Sequence, residues 1–293
     1  MTVAGGHGNG NGTNQLSSPC GMCIDDDQTI YIADTGNDRI VEWNETATNG
    51  QIVAGGKGKG DRNDQLSSPT KVIIDQQNDS LIICDESNRR VMRWPRRNGQ
   101  AGEILISNIR CSDLMMDNDG YLYVSDEDRH EIRRWKIGES NGTIVAGGNG
   151  QGSRLDQFNG PRDIFIDEDQ SVFVSDNGNH RVMKWVKGAK EGIVVAGGQC
   201  RGNELGQLSH PNGIIVDQLG SIYVADLGNH RVMRWLKGAE EGTIVVGGNG
   251  QGQQSSQLRG PFDLSVDREN NLYVLDHTNG RIQRFDVNLN EIV

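Results

Sequence analysis

The chain has 293 residues, of which 34% are hydrophobic and 40 are glycine, and its 40 acidic and 29 basic side chains leave a net charge of −11. Binding a polyanion requires clustered Lys and Arg to release counterions, so a nucleic-acid binder using its whole surface is disfavoured. No apolar stretch reaches membrane-spanning length, and the opening MTVAGGHGNG has neither a charged flank nor an apolar core. A soluble, cytoplasmic chain without a secretion signal is therefore expected.

In chain order, residues 1–6 (MTVAGG) read as a lone strand. From there the sequence repeats itself. Aligning the Asp that closes the first apolar run gives Asp25, Asp75, Asp117, Asp167, Asp217 and Asp267, in steps of 50, 42, 50, 50 and 50 residues. A second Asp runs in parallel (Asp34, Asp85, Asp126, Asp176, Asp226, Asp276), followed by an aromatic (Trp43, Trp94, Trp135, Trp185, Trp235, Phe285). A period near 50 points to a solenoid, a propeller or an array.

One unit, residues 161–198, shows the content of the repeat. RDIFID, SVFVSD, RVMKW and IVVAGG are four short β-branched runs, separated by turns rich in Asp, Asn and Gly, and they read as strands. The first two runs are apolar at consecutive positions, as in strands buried on both faces. Four-stranded sheets covered on both sides are the blades of a β-propeller. The aromatic that ends each third run is expected to wedge between blades, where burial is worth about 2 to 3 kcal/mol. The fold class expected is all-β, a single domain over 1–293 forming a six-bladed β-propeller. MTVAGG matches TIVAGG at 143–148 and is expected to complete the last blade, although NEIV at 290–293 could serve instead.

The runs PNGIIVDQLGSIYVADLGNHRVMRW (211–235) and PRDIFIDEDQSVFVSDNGNHRVMKW (161–185) resemble the NHL-repeat family, with NDRI, NRRV and NGRI as variants and RHEI at 129–132 as a departure. The resemblance covers essentially the whole chain and implies the propeller fold. It implies several functions equally: partner or RNA binding in TRIM-type ubiquitin ligases, sensing in bacterial kinases, and the peptide-amidating lyase. Fold by itself does not choose among them.

Several motifs have a structural reading. CGMC (Cys20 to Cys23) lies in a strand, where residues three apart point to opposite faces, so packing or free thiols are expected rather than a zinc site. GGNGQG leads into another strand rather than a helix, which makes it a connection between blades and not a phosphate loop. The recurring Asp–Asn–Arg set, such as Asp226, Asn229 and Arg231, is expected to be a charged network inside each blade. The histidines contain no close metal-ligand pair, and no Ser or Cys has the context of a nucleophile.

Residues that break the repeat are better candidates for function. At the second-to-third turns these are Thr35, Glu86, Ser87, Glu127, Asp128, Asn177, Leu227, His277 and Thr278. At the expected channel mouth stand Cys20, Thr70, Lys71, Ser112, Asp113, Arg162, Asp163, Asn212, Phe262 and Asp263. The 42-residue step lacks the usual glycine-rich connection, places Cys111 where Pro stands elsewhere, and should leave a notch in the rim. Beside it a run of Arg89, Arg90, Arg93, Arg96, Arg97 and Arg110 reads as a basic edge that could dock an acidic partner. The leading expectation is a monomeric, non-catalytic scaffold that binds a protein or peptide on the loop-bearing face, without cofactor. It could be the substrate-recognition part of a ubiquitin-ligase-type protein. RNA binding is the second reading. The third is a lyase or lactonase in which Asp113, Asp163 and Asp263 hold calcium, a cation that takes six to eight oxygen ligands.

Overall fold

A computed structural model describes residues 1–97 and 99–287. It contains six antiparallel sheets of four strands each, the blades of a six-bladed β-propeller. By their contacts, the residues divide into two compact units, Met1–Cys111 with the chain from Phe262 onward, and Ser112–Pro261.

In the first unit, blade 1 comprises Gly21–Ile24, Ile30–Asp34, Arg39–Trp43 and Gln51–Gly55. Blade 2 comprises Pro69–Asp75, Ser80–Asp85, Arg90–Pro95 and Glu103–Ser107. Blade 6 takes Pro261–Val266, Leu272–Asp276 and Arg281–Phe285 from the end of the chain and Thr2–Gly5 from its beginning. That N-terminal strand pairs Ala4 with Ile282 and Gly5 with Arg281, so it completes the last blade. NEIV at 290–293 lies outside the described residues.

In the second unit, blade 3 comprises Cys111–Met116, Tyr121–Asp126, Glu131–Lys136 and Thr143–Gly147, its first residue being the last of the other unit. Blade 4 comprises Pro161–Ile166, Val172–Asp176, Arg181–Trp185 and Ile193–Gly197. Blade 5 comprises Pro211–Val216, Ile222–Asp226, Arg231–Trp235 and Thr243–Gly247.

Second strands are buried along their whole length except at Tyr121, as consecutive apolar residues predict, whereas first strands are buried only in part. Trp94, Trp185 and Trp235 are among the largest fully buried side chains. Within the second unit, Trp185 joins Phe158, Ile132 and Ala146 in one cluster, so it packs residues of blade 3 against blade 4 as a wedge should. The connection entering a blade also contributes core: Leu16, Leu66, Phe158, Leu208 and Leu258 are wholly buried.

Candidate functional site

Each second strand ends in a buried Asp followed, in five blades, by a 3-10 turn. In blade 5 the Asp226 carboxylate accepts the Ser209 N–H at 2.7 Å, the Asn229 amide at 2.8 Å and Arg231 Nε at 2.8 Å. The remaining nitrogens of Arg231 donate to the carbonyls of Asn203, Glu204 and Gln207 in the connection entering the same blade. Burial pushes the Asp226 carboxyl up, and these three donors oppose the shift. Arg39, Arg90 and Arg181 repeat the clamp with their own connections. The Asp–Asn–Arg set is therefore a charged structural network. It also brings the second-to-third turn and the incoming connection together on one face, where Gly228 N–H donates to Ser209 O and Gly178 N–H to Asn159 O.

Blade 3 departs for a physical reason. Its incoming connection is only residues 108–110, so the carbonyls that an arginine would bind are missing. Glu131 stands at the arginine position and pairs with Arg133, while Arg129 takes the Asp126 carboxylate at 2.6 Å. Cys84 and Cys111 form a disulfide there, tying the second strand of blade 2 to Cys111, and both residues are fully buried. In blade 3, Ser125 stands where Cys84 stands in blade 2, and its hydroxyl donates to Pro161 O at 3.1 Å. The disulfide is a covalent version of that hydrogen bond. Such a bond persists in oxidising surroundings. Cys20 and Cys23 take part in no disulfide, and burial pushes the Cys23 thiol up to about 12.

Of the residues expected at the channel mouth, Asp113, Asp163, Asn212 and Asp263 are buried, and Cys20, Thr70, Lys71, Ser112, Arg162 and Phe262 are half-buried. Asp113 accepts the N–H of Ile164 at 2.9 Å, Asp163 that of Ile214 at 3.3 Å, and Asp263 that of Met22 at 2.8 Å. Each caps the first strand of the following blade, and all three are buried. Asp263 also takes Lys71 Nζ at 3.0 Å. The lysine lies over Gly21, where a Cβ would come within 2.9 Å of the lysine stem. Asn212 is buried, its carbonyl accepting from Ser175 Oγ. Arg162 pairs with Glu127 at 2.9 Å, and Phe262 stacks on His277 with ring centroids 5.0 Å apart. Among the described residues no set of three or more His, Cys, Asp or Glu is placed to hold a metal.

The basic run does not form one patch. Arg90 is the buried clamp arginine of blade 2. Arg93 pairs with Asp75 and Glu103, Arg96 with Asp25 and the Tyr31 hydroxyl, and Arg97 approaches Asp79. Arg89 and Arg97 flank opposite ends of the strand Arg90–Pro95, which spans about 17 Å at roughly 3.3 Å per residue. Only Arg89 and Arg110 share the loop-bearing face: Ile109 N–H donates to Arg89 O, and Arg110 pairs with Glu86 at 2.7 Å.

Sequence reasoning missed the residue that ends the second-to-third turn. Its left-handed backbone aims the side chain at the N–H just before the next blade. His130 Nδ1 accepts from Gly160, His180 Nδ1 from His210 and His230 Nδ1 from Gly260, and Asp38 does the same for Ser68. The recurrence of His at this position was the available signal. Its partner lies thirty residues away and only the fold reveals it.

Six four-stranded blades, one completed by the N-terminal strand, define the class as a six-bladed β-propeller. Residues 208–234 match the NHL repeat, and the chain is an NHL-repeat propeller. A search of curated proteins found no match. Among solved structures, an auxiliary nutrient binding protein from Bacteroides thetaiotaomicron is similar with a TM-score of 0.74 at 16% identity, over 97% of this chain and 75% of that one. A gluconolactonase from Xanthomonas campestris is similar at 0.66 and 13%, over 92% and 85%. Virginiamycin B lyase from Staphylococcus aureus is similar at 0.57 and 11%, over 95% and 87%. At these identities the likeness is one of fold. No helix among the described residues is long and apolar enough to cross a membrane.

Proposed function

We propose that the chain is a non-catalytic interaction domain that binds a protein partner on the face carrying the connections and the second-to-third turns. One observation carries this reading. The recurrent charged residues are used up inside the blades, as at Asp226 and Arg231, while exposed, non-recurrent side chains such as Ser87, Arg89, Asp128 and Arg259 stand on the frame they hold. Varied side chains on a rigid frame are suited to recognition. The acids that a lactonase-like metal site would need, Asp113, Asp163 and Asp263, serve as caps on backbone N–H groups. In a ubiquitin-ligase-type protein the same face would select the substrate.

The test is affinity capture with the intact chain, followed by cross-linking to map the contact and by exchange of Ser87, Arg89, Asp128 and Arg259 for alanine. Cross-links on this face that vanish in the variant support the proposal. Cross-links confined to the outer strands, or turnover of a lactone or a streptogramin by the purified chain, would overturn it.

A further inference from the structure

The connection into the fifth repeat carries Cys200, Arg201 and His210, a combination that the other connections lack. Cys200 takes a place that is glycine in other connections (Gly8, Gly58, Gly150, Gly250), and its φ is +113°. A side chain at those glycines would meet nothing within 4 Å, so the cost of Cys200 is backbone strain rather than crowding. Arg201 stands where the other connections carry Asn9, Lys59, Gln151 and Gln251, and His210, at a φ of +53°, where they carry Ser18, Ser68, Gly160 and Gly260. Ser18 and Ser68 adopt the same positive φ as His210, so that backbone belongs to the connection and the imidazole is what the fifth repeat adds.

Hydrogen bonds orient the cluster. Arg201 Nε donates to Ser209 Oγ at 3.1 Å, and the guanidinium pairs with no carboxylate among the described residues. The rings of His180 and His210 meet edge to face with centroids 4.6 Å apart. His180 Nδ1 accepts the His210 backbone N–H, which leaves Nε2–H as its donor. His210 Nδ1 lies 3.3 Å from Asn177 Oδ1, and the Asn177 amide nitrogen donates to Pro211 O, so the His210 nitrogen is the donor. Protonating His210 at Nε2 therefore breaks no internal hydrogen bond and adds a donor. The charged groups facing the pair are Arg201 and the buried Asp226, which the Arg231 clamp already neutralises. Burial and Arg201 hold both imidazoles below the usual histidine range, so the free site is short of negative charge.

We propose that Arg201, His180 and His210 form a binding site for a phosphate group on the fifth repeat. The guanidinium and two imidazoles that gain charge on protonation suit a phosphate, which carries up to two negative charges, better than a singly charged carboxylate. Binding takes up a proton at His210 and tightens as pH falls, by at most roughly tenfold per pH unit for one linked proton. The inference goes beyond the interaction-domain reading and stands whether or not a protein docks on this face.

The experiment titrates inorganic phosphate into the intact chain at pH 6.0 and 7.5 and follows the imidazole resonances of His180 and His210, with acetate as a parallel arm. The expected result is a saturable shift of both, tighter at pH 6.0 and weaker with acetate. Arg201→Gln and His210→Gly restore residues that other repeats carry, so they should keep the wild-type Tm and lose the phosphate response. Unmoved resonances at pH 6.0, equal binding of acetate, or a wild-type response in the double variant would each overturn the assignment.

Discussion

Arg231 and Asp226 show how one recurrent pair closes a blade. The carboxylate is wholly buried, and the guanidinium is the only charge that neutralises it while also binding the incoming connection. Removing one partner of a buried pair leaves an uncompensated charge, which costs about 3 to 5 kcal/mol. Arg231→Ala should therefore lower the denaturant midpoint sharply. An unchanged midpoint would show the clamp to be ornamental. The histidine after the 3-10 turn makes a pH-dependent contribution. Burial lowers the pKa of His180 and of His210 in the folded state, so the unfolded chain binds more protons near the ordinary value of about 6.5. Their contribution to stability is complete above that value and is lost as pH falls through the lowered folded values. Urea midpoints should drop between pH 7.5 and 5.5 in phosphate-free buffer. His180→Asp should retain more of its stability, since Asp38 caps Ser68 N–H at the same position in blade 1.

The connection between blades is the element on which most of the irregularity depends. Where it is long, it supplies a buried leucine or phenylalanine and three carbonyls for the arginine. Where it shrinks to residues 108–110, the arginine becomes Glu131 and the Cys84–Cys111 disulfide appears. The cysteines are 27 residues apart, and closing such a loop is worth about 3 to 4 kcal/mol in the chain-entropy model. Cys84→Ala combined with Cys111→Pro installs the residues of blade 1 and blade 2 at these positions. That variant should melt below the oxidised wild type and be indifferent to reductant, whereas reductant should destabilise the wild type.

At the scale of the whole molecule, closure rests on a strand four residues long. Thr2–Gly5 pairs with Arg281–Phe285, and the terminal amine donates to Arg284 O at 2.7 Å. Without it the edge of Arg281–Phe285 would be open to pairing with other chains. Deleting residues 1–6 should produce oligomers or aggregates in size-exclusion chromatography, and a monomeric variant with wild-type stability would refute that role. The strands, the blade count, this closure and the Asp–Asn–Arg network were all legible in the order of residues, because period and hydrophobic pattern repeat six times. The basic edge was misread because neighbours in sequence need not be neighbours in space. A strand carries Arg89 and Arg97 to opposite ends, and the clamp withdraws Arg90 from the surface. Likewise the pairing of Cys84 with Cys111, the capping by His180, and the edge-to-face meeting of the His180 and His210 rings join residues that local spacing does not relate. Local physics, through turn chemistry and apolar alternation, sets what each segment becomes. Which charged groups end up buried, paired or exposed depends on how blades stack and which loop crosses them, and only the tertiary structure decides that.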